Sequence, residues 1–280
     1  MKRILLCLTL LCLSPLLRAA GSHDERYQSA PQINFEAGSR AWVLVADANL
    51  RALPDAKSPA LARLPIGTEI KVLADDKHSG VNYTQNGLSA NWLKVRLASG
   101  PQTNLEGYLW SGILSALRVA SVVDDGTYFY FGIQAVQQQD GMVSKVIGQV
   151  RAANHGVELA RLQFVAPNRP HFSAAAQSLG NQGLANVNDV LSVSYEASAC
   201  GEAYGEVLLF WSGTAFTAGE TANRYADAPV FHHEKWILPQ EPGGKKGVIL
   251  WRMEAQEDEG TPLKKESAEW LWLDGKMQKR

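Results

Sequence analysis

Two stretches decide the fold class: Ile66-Gly67-Thr68-Glu69-Ile70-Lys71-Val72 and Asn91-Trp92-Leu93-Lys94-Val95-Arg96-Leu97. In the first, Ile66, Thr68, Ile70 and Val72 share one parity while Gly67, Glu69 and Lys71 take the other. In the second, Leu93, Val95 and Leu97 alternate with Trp92, Lys94 and Arg96. Period two over such lengths predicts half-buried strands with the aliphatic set turned to a core. Pro54, Pro65, Gly67 and Gly87 stand at or near the strand ends, where a fixed or positive φ is useful. Short strands punctuated this often predict a small barrel or sandwich.

The same reading extends towards the C-terminus. Tyr128 to Ile133 is an aromatic strand. Gly156 to Val165 alternates in two phases, Val157 with Leu159 and Leu162 with Phe164, and a bulge near Ala160 and Arg161 would bring both pairs onto one face. Val190 to Tyr195 and Val207 to Trp211 are strands. Phe210 to Phe216 reads as strand, tight turn and strand, and Trp270 to Met277 repeats that design, with Asp274-Gly275 suited to a type I′ turn. Lys235 to Leu238 and Val248 to Met253 flank a wide loop, Pro239 to Lys246. Only Pro170 to Leu184, with its alanine cluster, has any claim to a short helix, and its glycines weaken that claim. A boundary falls at Ser121 to Gly126, where Asp124-Asp125-Gly126 supplies turn chemistry. The expectation is an all-β chain: a small barrel over residues 41–118, then a larger antiparallel β domain over 126–280, sandwich-like or partly propeller-like.

The N-terminus reads as a signal peptide over residues 1–21. Lys2 and Arg3 precede an apolar run, Ile4 to Leu17, too short to span a bilayer, and Ala19, Ala20 and Gly21 suit cleavage. Anchoring through Cys12 competes with this, but Leu11 stands where a lipoprotein signal has a small residue. Residues 22–40 read as a flexible leader. Loss of Lys2, Arg3 and Arg18 would turn 27 basic against 28 acidic residues into 24 against 28, or −4. A weakly acidic chain without a basic block suits no nucleic acid. No later apolar run is long enough for a transmembrane span, so a periplasmic or secreted protein is expected. Cys200 would be its sole cysteine, leaving no intramolecular disulfide.

Ala48-Asn49-Leu50-Arg51-Ala52-Leu53-Pro54-Asp55, Leu64 to Leu73, Asn91 to Leu97 and Glu106-Gly107-Tyr108-Leu109-Trp110 follow one another as in a known family. Residues 41–116 resemble a bacterial SH3-like domain, a small β-barrel used for binding in or near the cell envelope. Asn49, Arg51 and Pro54 match the family's strand-and-turn motif, with Arg51 a structural hydrogen-bonder there. Leu53 stands where the family carries glycine before the proline, and Asp75 to Asn91 and Ala98 to Glu106 are long polar inserts. The resemblance implies docking on peptidoglycan or an envelope protein, without a cofactor. Trp92, Tyr108, Trp110 and Tyr83 are the candidate ligand-binding residues, their flat faces suited to stacking on an extended peptide or sugar. The competing reading of Trp92 and Tyr108 is that they close the barrel.

Chemistry has weaker support. Cys200 with His232 or His233, and Asp258 as a third member, would make a cysteine peptidase or cell-wall hydrolase. Ser198-Ala199-Cys200-Gly201-Glu202 lies between two strands, however, whereas cell-wall cysteine peptidases open a helix with the nucleophile. His232 and Glu234 share a strand face, too few ligands for a closed zinc site, and His155 and His171 are isolated. Glu196, Glu202 and Glu206 form an acidic rim rather than a glycosidase pair. The sequence therefore favours a non-catalytic binding protein without a metal; an envelope immunity or inhibitor protein is a third reading.

Overall fold

A computed structural model describes residues 35–74, 81–166, 174–195 and 204–280. The expected signal peptide and most of the expected leader lie outside these residues. The described chain is all-β, with antiparallel sheets.

The first sheet holds β1 (Arg40–Val43), β2 (Ala48–Arg51), β3 (Ala60–Leu64), β4 (Glu69–Val72), β5 (Asn82–Gln85), β6 (Leu88–Leu97), β7 (Glu106–Trp110) and β8 (Leu114–Ser115). Its order is β3-β2-β7-β6-β4-β1-β8, with β5 attached to β6. The expected barrel does not close. β3 and β8 end the path without pairing to each other, because β8 is two residues long and the chain leaves it for the next sheet. Inward residues still converge: Ala41, Val43, Leu50, Ile70, Val72, Leu93, Val95, Leu97 and Leu109 form one cluster. One sheet filling one cluster from all these strands must be strongly curled. Phe35 is buried in the same cluster, and Gly38 donates to the Val72 carbonyl, so the folded part begins inside the expected leader.

The second sheet is a meander of β9 (Leu117–Ala120), β10 (Thr127–Gln139), β11 (Met142–Asn154) and β12 (Val157–Ala166). Asp140-Gly141 and His155-Gly156 turn its hairpins with positive φ at both residues, the geometry of type I′. The bulge on β12 is present, with Leu159 the extra residue where Ala152 and Ala153 face Ala160 and Glu158. It does not bury the pair: Val157 and Leu159 remain 63% and 44% exposed.

The third sheet is a longer meander in sequence order: β13 (Ala174–Ser178), β14 (Asp189–Tyr195), β15 (Tyr204–Trp211), β16 (Phe216–Asp227), β17 (Val230–Ile237), β18 (Val248–Gln256), β19 (Lys264–Leu273) and β20 (Lys276–Lys279). β13 lies within the stretch that had a claim to a short helix, and pairs with β14 over Ala174 to Ser178. Asp274 and Gly275 both have positive φ, as a type I′ turn requires. β14 and β15 are buried on both faces. Leu191, Val193, Val207, Leu209 and Trp211 meet Phe129, Phe131 and Val150 of the second sheet. Val190, Leu208 and Phe210 meet Trp236 and Ile249 from the far end of their own sheet. The two aromatic-turn hairpins thus face each other, with Phe210 and Trp272 ring centres 4.2 Å apart.

Two polar groups pin the second sheet to the third. Asp189, fully buried, accepts from the Ser121 and Ser178 hydroxyls and from the Gly180 amide. Asp124 accepts the Trp211 indole N–H at 2.7 Å. The first sheet joins the assembly through Leu88, Trp92 and Trp110, which belong to the same apolar cluster as Phe129 and Trp211.

Candidate functional site

The segment expected as the polar insert Asp75 to Asn91 yields a hairpin. Gln85 faces Leu88, and Asn86 and Gly87 turn the chain with φ of 52° and 74°. Asn-Gly between strands is the standard sequence signal for this turn, and reading it would have located β5. The tip is held from outside, since the Val136 amide of β10 donates to the Asn86 carbonyl at 3.0 Å. A side chain at Gly87 would collide with the Val136 carbonyl oxygen, 2.0 Å from an added Cβ.

The four aromatic candidates separate into support and surface. Trp92 and Trp110 are only 5% and 7% exposed and pack between the first and second sheets. They therefore do not line an open groove as they stand. The Trp110 indole N–H donates to the carbonyls of Tyr83 and Ala90 at 3.1 and 2.9 Å, fastening both strands of the hairpin. Tyr83 lies over this pair, edge-on to Trp110 at 5.6 Å and tilted to Trp92 at 6.3 Å, and is 38% exposed. Tyr108 is half-buried between Arg51 and Lys94. Tyr83 is thus the outward member, on a strand whose residues are all exposed.

The turn also fixes which main-chain groups of β5 are free. Antiparallel pairs alternate between those that exchange both hydrogen bonds and those that exchange none. The two-residue loop makes Gln85–Leu88 a bonded pair, so Tyr83–Ala90 is bonded and Asn82 and Thr84 direct their N–H and C=O groups outward. Among the described residues no strand pairs with that outer side. Several other terminal strands carry features that blunt edge pairing, although β13, Ala174 to Ser178, likewise has no charge, proline or bulge. β3 has a bulge and Arg63, β12 has a bulge with Glu158 and Arg161, and β20 has Lys276 and Lys279. β5, Asn82-Tyr83-Thr84-Gln85, has neither charge, proline nor bulge.

The remaining sequence candidates are dispersed. Arg51 donates to the Ser58 carbonyl at 2.6 Å, and the Ser58 hydroxyl accepts the Leu53 amide at 2.9 Å, so the motif turn is tied to itself. Asn49 faces Arg63 across β2 and β3, and Pro54 sits half-buried in that turn. Cys200, Glu196, Glu202 and His171 lie outside the described residues. His232 contacts Glu234 at 2.9 Å and stacks on Tyr225. His233 faces Arg224 and Glu254 on the neighbouring strands. Although His233 is exposed, partial desolvation by its neighbours holds its pKa below the usual histidine value, and the Arg224 and Lys235 cations push the same way. Glu206 accepts from Ser192 and from Arg224. Among the described residues no group of three or more His, Cys, Asp or Glu is disposed to hold a metal ion. No helix among them is long and apolar enough to cross a membrane. Comparison with protein families, curated proteins and solved structures gave no match to this chain.

Proposed function

We propose that this chain is a non-catalytic binding protein of the cell envelope, periplasmic or secreted, that takes up an extended protein segment along β5. The observation that carries the reading is the open, uncharged edge of β5 on a hairpin secured at both its tip and its flank. Strand addition draws affinity from main-chain hydrogen bonds and selectivity from alternate side chains. Asn82 and Thr84 offer the main-chain groups, and Tyr83 offers an aromatic face already ordered by Trp92 and Trp110. Prior ordering lowers the entropy lost on binding. The likeness of residues 41–116 to SH3-like domains supports docking as the class of activity, and the N-terminal sequence supports export.

Thr84→Pro tests this. Thr84 belongs to a non-bonded pair, so proline removes an outward N–H and leaves the β5–β6 ladder whole. The full-length mature protein, immobilised, is expected to retain an envelope protein from periplasmic extract, with retention falling roughly tenfold in Thr84→Pro, the equivalent of about 1.4 kcal/mol. Equal retention by the two proteins, or retention on isolated peptidoglycan that Thr84→Pro leaves unchanged, would overturn the assignment to β5.

A further inference from the structure

The outward face of the first sheet carries a charge arrangement that strand alternation disperses along the sequence. Arg96 on β6 lies directly opposite Lys71 on β4, and Lys71 directly opposite Arg40 on β1. Three cations therefore occupy neighbouring positions across three strands. One step along, Lys94 and Arg51 stand on either side of Tyr108. All point away from the core, because Leu93, Val95, Ile70, Val72, Ala41 and Leu50, next to them in sequence, fill it. Arg40, Lys71, Lys94 and Arg96 are exposed. Glu106 bonds Arg96 at 2.6 Å and approaches Lys94 at 3.4 Å, while Glu69 meets Arg40 at 2.9 Å. The Arg96 guanidinium, the largest influence, holds the Glu106 carboxyl below its usual pKa, so this pair stays charged.

Four exposed cations against these two carboxylates, with the half-buried Arg51 beside them bonded to the Ser58 carbonyl, form a local positive surface on a chain whose formal net charge is −1. Like charges directly opposite one another weaken a sheet. Lys71 meets a like charge on both sides in one row, a local rule broken at the centre of the face and only partly offset by the Glu69 and Glu106 ion pairs at its flanks, as at a working surface.

We propose that this face is a docking surface for an acidic protein segment. Strands lie about 4.8 Å apart, so the three cations span roughly 10 Å, and carboxylates on alternate residues of an extended chain recur every ~6.6 Å. Long Lys and Arg side chains close that difference. Lys71 stands between two arginine forks that hold Glu69 and Glu106, and a ligand carboxylate would bind Lys71 and share or exchange those forks' contacts. An anionic bilayer is the less suitable partner, because the most exposed apolar side chains, Val122, Val157 and Leu53, lie outside these rungs. The surface is separate in chemistry from β5: the strand edge reads main chain, and the cationic rungs read charge.

The test uses the full-length mature protein and a fluorescein-labelled oligoglutamate, followed by anisotropy at low and high salt. Binding is expected at low salt and is expected to weaken steeply as salt screens exposed charges. Lys71→Gln is expected to reduce affinity roughly twofold to fivefold, and Lys71→Gln with Arg96→Gln to reduce it by about the product of two such factors. Both variants alter exposed side chains, and a retained far-UV spectrum and melting midpoint confirm folding. Thr84→Pro is expected to bind oligoglutamate like the parent, so failure at β5 and failure of the cationic face are told apart. Unchanged affinity in the double variant, or stronger competition by phosphatidylglycerol vesicles than by unlabelled oligoglutamate, would overturn the proposal.

Discussion

Trp92→Ala and Trp110→Ala discriminate a structural role for these rings from a ligand-facing one. At 5% and 7% exposure, each ring is almost wholly withdrawn from water against Phe129, Phe131 and Trp211. Truncating a buried tryptophan to alanine costs about 3–5 kcal/mol, the sum of lost transfer energy and the cavity left behind. Trp110 carries a further loss, since its indole N–H serves two carbonyls of the β5–β6 hairpin. Those carbonyls keep strand partners, so the addition is about 1 kcal/mol. For a folding unit of this size each kcal/mol moves the midpoint by about 2–4 °C, giving a fall of roughly 6–20 °C for Trp92→Ala and roughly 8–24 °C for Trp110→Ala. Trp110→Phe keeps most of the apolar volume but not the donor, and should fall only by about 2–6 °C on the same scale. Thermal unfolding followed by far-UV circular dichroism reads all three variants without depending on tryptophan fluorescence. A substitution in an exposed groove would shift stability by no more than about 0.5 kcal/mol. Midpoints within about 2 °C of the parent, together with loss of partner binding, would refute the burial argument and return both rings to an open surface.

Asp189→Asn should destabilise by about 1–3 kcal/mol, because an amide nitrogen replaces an acceptor oxygen in a site whose hydroxyl and amide partners all donate. Urea titration checks it, and hydrogen exchange at Ser121 to Asp124 should rise with it; an unchanged midpoint would remove Asp189 as the link between second and third sheets. His233 supplies a pH signature. Its folded pKa lies below the ordinary 6.5, so the unfolded chain binds the extra proton and stability rises with pH through that window. The contribution is complete above the unfolded value and is lost as pH falls through the folded one. His233→Gln should flatten this part of the stability curve, and a parent with no slope just below pH 6.5 would contradict the lowered pKa.

The legible and illegible parts of this molecule divide by the range of the interactions involved. Alternation at Leu93, Val95 and Leu97 reports burial within one strand, and the Asp274-Gly275 turn is written in two adjacent residues; both can be read locally. Closure of the first sheet depends on whether β3 meets β8, a long-range matter on which either strand is silent alone. The burial of Trp92 and Trp110 depends on β10, which the sequence places in another domain. The hairpin at β5 was within reach, since Asn86-Gly87 announces it, but the polar composition around that pair reads as insertion.

The cationic rungs are the sharpest instance. In sequence Arg40, Lys71 and the Lys94 and Arg96 pair are scattered over three strands, each an ordinary solvent-facing residue, and the overall balance is slightly acidic. Only the register of β1, β4 and β6 sets three of them side by side. Register is fixed by the inward residues, because a slip of one position would turn Ile70 and Val95 out and the charges in. The same aliphatic pattern that makes the fold recognisable therefore also compels the juxtaposition of like charges, so the core energy carries the repulsion. Lys71→Gln removes the middle charge without touching the core. Its expected effects are opposite in sign: stability rises by about 0.2–1 kcal/mol as the repulsion is relieved, while affinity for an acidic segment falls. A residue kept only for solubility would show neither the stabilisation nor the loss.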